Sequence, residues 1–130
     1  NDYLPHNYQE NAVVYTGTHD NETVAGWFDT ICTEDRALAR NYLCDKYTPN
    51  DEMHWSFICA AMRSRANMCI IPLQDYLELG SEARINTPST LGGNWEWRVK
   101  ADACTPELSA RMLELAQVFG RIVKTKKKKK

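Results

Sequence analysis

Val13-Val14-Tyr15-Thr16-Gly17-Thr18-His19-Asp20-Asn21-Glu22-Thr23-Val24-Ala25-Gly26-Trp27-Phe28 decides how this chain is to be read. The apolar run at 13–15 predicts a buried strand over residues 12–18. From Thr23 the pattern changes to that of a helix, so strand, polar turn and helix follow in direct succession. His19 and Asp20 fall in the turn, at the carboxyl end of the strand, where βα-barrel enzymes hold their reacting groups. Taken alone, His-Asp-Asn at such a turn is equally a capped connection, because Asp and Asn side chains bond nearby backbone amides.

Working outward, Met68-Cys69-Ile70-Ile71 predicts a second short buried strand, and two such runs suit a parallel sheet covered on both faces. Between them the spacing predicts a helix from Glu34 to Leu43 with Thr33 as N-cap and Glu34 and Asp35 at its positive end. A further helix is predicted from Asp51 to Arg65, capped by Asn50 or Thr48, with Trp55, Ile58, Ala61 and Met62 at helical spacing. A long connection carrying Gly80, Pro88, Gly92 and Gly93 follows, of a length that compact domains usually reserve for function. The last helix has Thr105 as cap, Pro106 at its first position, and an apolar stripe of Leu108, Met112, Leu115, Phe119 and Ile122. The order is that of successive βα units, so the fold class is α/β.

Three blocks then line up. Residues 1–28 contain Asn-Asp-Tyr-Leu-Pro-His-Asn-Tyr and the His19–Asp20 turn. Ile71-Pro72-Leu73-Gln74-Asp75 follows, and then Ser81-Glu82-Ala83-Arg84-Ile85-Asn86-Thr87-Pro88-Ser89-Thr90 with Gly93-Asn94-Trp95-Glu96-Trp97-Arg98. In this order they resemble the C-terminal part of the 4-α-glucanotransferases, the amylomaltase or disproportionating enzymes, from about residue 3 to residue 123. The resemblance implies the C-terminal portion of a (β/α)8 TIM-like barrel: about the last two βα units plus a C-terminal helix. Ser89 stands where that family's motif often has Gly. A chain of 130 residues is too short for a whole barrel of roughly 250. It opens on Asn1, and the expectation is a fragment whose partner is the N-terminal part of the barrel.

What the resemblance implies chemically is transfer of α-1,4-glucan segments to the 4-hydroxyl of an acceptor glucan or glucose, with retention and without cofactor or metal. Asp20 would be the transition-state-stabilising carboxylate and His19 a hydrogen-bonding partner to the same sugar. Asn21, Asn94, Trp95 and Asp75 would complete the substrate-binding set. Asp75, expected at the end of the second strand, is by residue chemistry as readily a loop brace. For Trp27, Trp55 and Trp97 packing against neighbouring elements is the expectation. Arg84 and Asn86 are expected to order the long loop, Arg84 by pairing with a carboxylate. The family's nucleophile and acid/base match nothing in these residues, so the isolated chain is expected to be inactive, and marginal, self-associating or molten. The alternatives are an α-glucan hydrolase fragment and a non-catalytic glycan-binding module.

Composition sets limits consistent with this. Six of the sixteen basic residues are Lys124 and residues 126–130, which leaves residues 1–123 with ten basic against seventeen acidic groups, a net of −7. An acidic body argues against a nucleic-acid partner, and the run 124–130 reads as a disordered lysine-rich tail behind one domain at 1–123. No apolar run approaches the roughly 20 residues of a membrane span. The five cysteines, 32, 44, 59, 69 and 104, form no Cys-x-x-Cys pair, and reduced, mostly buried thiols are expected in a cytoplasmic protein, or a plastid one in a plant or alga.

Overall fold

A computed structural model describes residues 2–122; the lysine-rich run at 124–130 lies outside the described residues. Two three-residue strands, β1 (Val13–Tyr15) and β2 (Met68–Ile70), pair in parallel with Val14 opposite Cys69. Parallel pairing requires a crossover, and the chain spends it on α1 (Val24–Thr30), α2 (Thr33–Leu43), a 3-10 turn at Asn50–Glu52, and α3 (Met53–Arg63). After β2 come the single turn α4 (Leu73–Tyr76), a 3-10 turn at Ser81–Ala83, the irregular stretch 84–105, and α5 (Pro106–Val118). No helix among the described residues is long and apolar enough to cross a membrane.

The helix starts show how local chemistry sets the boundaries. Thr23 caps α1, its hydroxyl accepting from the Gly26 amide at 3.2 Å, and Thr105 caps α5 by accepting from Leu108 at 3.1 Å. In α2 the cap falls one residue earlier than expected. Cys32, not Thr33, accepts from the Asp35 amide at 3.5 Å, so Thr33 is the first helical residue. Neither Asn50 nor Thr48 caps α3, which has no side-chain cap. The Asn50 side-chain oxygen is taken by the Arg40 guanidinium at 2.7 Å, and the Thr48 amide is turned onto the Asp45 carboxylate.

Packing centres on α3. Phe28 and Met53, with Leu43 and Ala60, join α1 and α2 to it; Val14, Ala61 and Ala66 seat it on the sheet; Ile58, Met62 and Tyr76 receive Leu108, Met112, Leu115 and Phe119 from α5. Four of the five stripe residues thus pack as their spacing predicts, while Ile122 lies beyond the end of α5 and is 41% exposed. Arg121 closes this end of the molecule, donating to the carbonyls of Met62, Ser64 and Ala66 at 2.6–3.0 Å, where the last carbonyls of α3 lack helical partners.

Two expectations are corrected. The strands are covered on one face only: Val14 is 4% exposed, while Val13, Tyr15, Met68 and Ile70 on the opposite face are 41–54% exposed. Among the described residues α3 packs on one side, and the other is left about half exposed. The thiols are not mostly buried either. Cys32, Cys44 and Cys104 are exposed and Cys59 and Cys69 half-buried, because the first two serve at the ends of α2 rather than in the core.

Candidate active site

β1 ends at Tyr15, earlier than the pattern suggests, because its ladder partner β2 ends at Ile70, shortly before Pro72, which has no N–H to donate. Just beyond the strand the Thr16 hydroxyl donates to Asp75 Oδ2 at 2.5 Å. Asp75 Oδ1 accepts from the Val24 amide at 2.9 Å, at the start of α1. One carboxylate, 1% exposed, therefore holds both ends of the loop that carries His19 and Asp20. Asp75 lies within α4 rather than at the end of β2, and both its oxygens are occupied by protein groups.

Inside the loop, Asn21 Oδ1 accepts from the Thr18 amide and the Thr18 hydroxyl, both at 2.8 Å, which folds residues 18–21 into a tight turn. That uses the oxygen's two lone pairs and leaves the amide donors. The turn presents His19 and Asp20 at the surface, their side chains about half exposed, with His19 Nε2 3.3 Å from Asp20 Oδ1.

The segment after Ala83 is bonded onto this turn. The Asn86 amide nitrogen Nδ2 donates to Asp20 Oδ1 at 2.7 Å, and its backbone N–H donates to the His19 carbonyl at 3.1 Å. Arg84 donates to the Asp20 carbonyl at 2.8 Å and pairs with Glu22 at 3.4 Å. The pairing of Arg84 with a carboxylate is as expected. The direct bond from Asn86 to Asp20 is not legible in the sequence, where Asn86 shows only as a loop residue.

The Trp95 amide donates to the Ile85 carbonyl at 2.7 Å, which places the indole 5.1 Å from the His19 ring, tilted by 35°. Trp95 is 59% exposed and holds φ at +65°, the left-handed region, where a bulky residue is rare and costs on the order of 1–3 kcal/mol. Asn94 ties its own loop, Oδ1 accepting from the Thr87 amide at 2.8 Å and Nδ2 donating to the Thr90 hydroxyl at 3.0 Å. Ser89, after Pro88, sits at φ +63°. This is the third position of a turn that favours glycine, which accounts physically for Gly at the corresponding place of the motif.

The structure thus brings together His19, Asp20, Asn86 and Trp95, with Asn21 and Asn94 shaping the flanking loops and Asp75 beneath. Trp55, beneath the Arg111 guanidinium, and Trp97 are half-buried, near the burial expected of them, whereas Trp27 packs edge-on to Phe57 yet remains 39% exposed. A broad, open concavity formed by residues 62–67 and 118–122 includes no residue of this cluster.

The arrangement defines a class: an α/β protein presenting a half-exposed imidazole–carboxylate pair and an exposed indole at the carboxyl end of a parallel strand. A family model described as 4-alpha-glucanotransferase matches residues 1–104. The 4-alpha-glucanotransferase of Clostridium butyricum is 48% identical over 122 residues, 93% of this chain and 25% of the relative. The chloroplastic/amyloplastic 4-alpha-glucanotransferase of Arabidopsis thaliana is 46% identical over 125 residues, 94% of this chain and 21% of the relative. Among solved structures, amylomaltase from Streptococcus agalactiae in complex with acarbose matches with a TM-score of 0.85 and 34% identity, over 92% of this chain and 24% of that one. The chain belongs to the 4-alpha-glucanotransferase family and shares its fold with amylomaltase. It spans about a quarter of the length of the curated relatives it matches.

Proposed function

We propose that this chain supplies the supporting side of a 4-α-glucanotransferase active site, in a polypeptide that transfers segments of α-1,4-glucans to the 4-hydroxyl of an acceptor glucan or glucose. In this reading the described residues are two βα units and a closing helix from the wall of a (β/α)8 barrel, and the rest of the barrel is their partner. The observation that carries it is the Asp20 carboxylate, half exposed, anchored through one oxygen, beside His19 and the Trp95 indole.

Retaining transfer passes through an oxocarbenium-like state between a nucleophilic carboxylate and a carboxyl acid about 5 Å apart. Those two groups come, on this proposal, from outside this chain. Asp20 acts on the same state as a fixed negative charge that hydrogen-bonds ring hydroxyls and strengthens its interaction as positive charge develops. His19 contributes a hydrogen bond to that sugar. Trp95 offers an apolar face for a pyranose ring, and its strained backbone is the kind of conformation that a site retains for use. Asn21 keeps its amide N–H donors for hydroxyls, whereas Asn94, whose Nδ2 donates to Thr90, keeps one acceptor site on Oδ1. Asp75, with no free oxygen, serves by holding the loop. Transfer in place of hydrolysis then depends on how the complete site keeps water out. The compartment in this proposal is the cytoplasm, or the plastid in a plant or alga.

Asp20→Asn in the full-length polypeptide tests the reading. The expected result is a loss of kcat by orders of magnitude with maltooligosaccharide binding retained. Near-normal turnover would refute the assignment, and a loss of affinity alone would mark a binding module instead.

A further inference from the structure

Resting on the reading of Asp20 above, we propose that Asn86 is the positioning residue for the Asp20 carboxylate, fixing one oxygen and leaving the other for the sugar while preserving the full negative charge.

The geometry is specific. Asn86 is itself held from three sides. Its backbone N–H bonds the His19 carbonyl at 3.1 Å, its carbonyl accepts from Arg84 Nε at 2.9 Å, and its side chain reaches Asp20 Oδ1 at 2.7 Å. An ionised carboxylate only accepts, so the amide must face it nitrogen-first. Among the described residues no group bonds Asp20 Oδ2. The oxygen left over is therefore defined by the hydrogen-bond pattern, not by a free rotation of a surface side chain.

The choice of a neutral donor carries the chemistry. Arg84 lies within reach of the same turn, yet its guanidinium goes to the Asp20 backbone carbonyl and to Glu22 rather than to the Asp20 carboxylate. Glu22 in turn spends its other oxygen on the Thr23 amide at 2.9 Å. The cation in the neighbourhood is thus consumed by Glu22 and by backbone, and the groups that touch the Asp20 carboxylate are an amide and an imidazole. A guanidinium in place of the amide would orient the carboxylate equally well but neutralise the field it directs at a cationic sugar. An amide orients without neutralising.

The test is a double-mutant cycle in the full-length polypeptide, assayed with an activated glycosyl fluoride donor so that the Asp20→Ala background stays measurable. Asn86→Ala should lower kcat by about 10- to 100-fold with KM nearly unchanged, the scale of a misaligned reacting group. In the Asp20→Ala background the same substitution should cost less than about twofold, because its target is gone. Asn86→Asp, which keeps the shape but removes the donor and adds a like charge, should lose at least as much kcat as Ala. Equal losses in both backgrounds, a loss borne by KM, or an Asn86→Asp variant with wild-type kcat would overturn the inference. Near-normal kcat for Asp20→Ala would instead overturn the reading of the site itself, and the positioning role with it.

Discussion

Asp75→Ala should loosen the loop that carries His19 and Asp20 without touching either residue. The carboxylate is 1% exposed and accepts two hydrogen bonds, from the Thr16 hydroxyl at the end of β1 and the Val24 amide at the start of α1. Bonds to a charged acceptor contribute about 1.5–3 kcal/mol each, and truncation leaves both donors without a partner in a buried place. Against that gross loss of roughly 3–6 kcal/mol stands the relief of a buried carboxylate's desolvation, so the expected net cost is about 3 kcal/mol. Asp75→Asn keeps an acceptor for Val24 and lets the Thr16 hydroxyl reverse to accept from the new amide, so its cost should be about 1 kcal/mol. Urea denaturation followed by tryptophan fluorescence reads the totals. Hydrogen exchange at the Val24 amide reads the site, where exchange should accelerate strongly for Ala and modestly for Asn. An Ala variant within about 1 kcal/mol of the parent, with Val24 still protected, would refute the brace.

Two further outcomes follow from other parts of the molecule. His54 is 3% exposed and burial holds its pKa below the usual 6.5, against a hydrogen bond to the Asp51 carbonyl that favours the charged ring. The unfolded chain therefore takes up the proton first. Stability is fully present above about 6.5 and falls as the pH drops from there toward the folded value, by at most about 1.4 kcal/mol per pH unit, and denaturation of His54→Gln across that range should lack this component. Ser89→Gly should stabilise by roughly 0.5–1 kcal/mol, since φ +63° strains Ser and not Gly; a lower melting midpoint would show that the Ser side chain contributes more than its backbone costs.

Most of the fold was legible because its signals are local. The Thr105-Pro106 start and the stripe from Leu108 to Phe119 specify α5 with no reference to the rest of the chain, and that stripe meets Ile58 and Tyr76 as an amphipathic helix should. The misses arise where a distant group outbids a local one. Asn50 reads as a cap until Arg40, ten residues earlier, takes its oxygen. The run 12–18 reads as one strand until its partner β2, distant in sequence, ends opposite Tyr15 at Ile70. Periodicity carries no information about such partners.

The candidate site shows the same division in sharper form. Residue type and order single out His19, Asp20 and Trp95, and the structure gathers them at the end of β1. Type alone does not separate an amide that faces substrate from one that is spent on the protein. Asn21 and Asn94 stand out in the motifs, yet each gives its oxygen to its own loop. Asn86 does not stand out, yet its nitrogen reaches the carboxylate on which the proposed chemistry turns. Asp75 and Asp20 differ in the same way. One is buried with both oxygens engaged, the other exposed with one oxygen held. A carboxylate whose valences are closed by the fold can only shape a site, and one left half open can act in it. That criterion, not the spacing of acidic residues, is why Asp20 and not Asp75 is the one to substitute when turnover is measured.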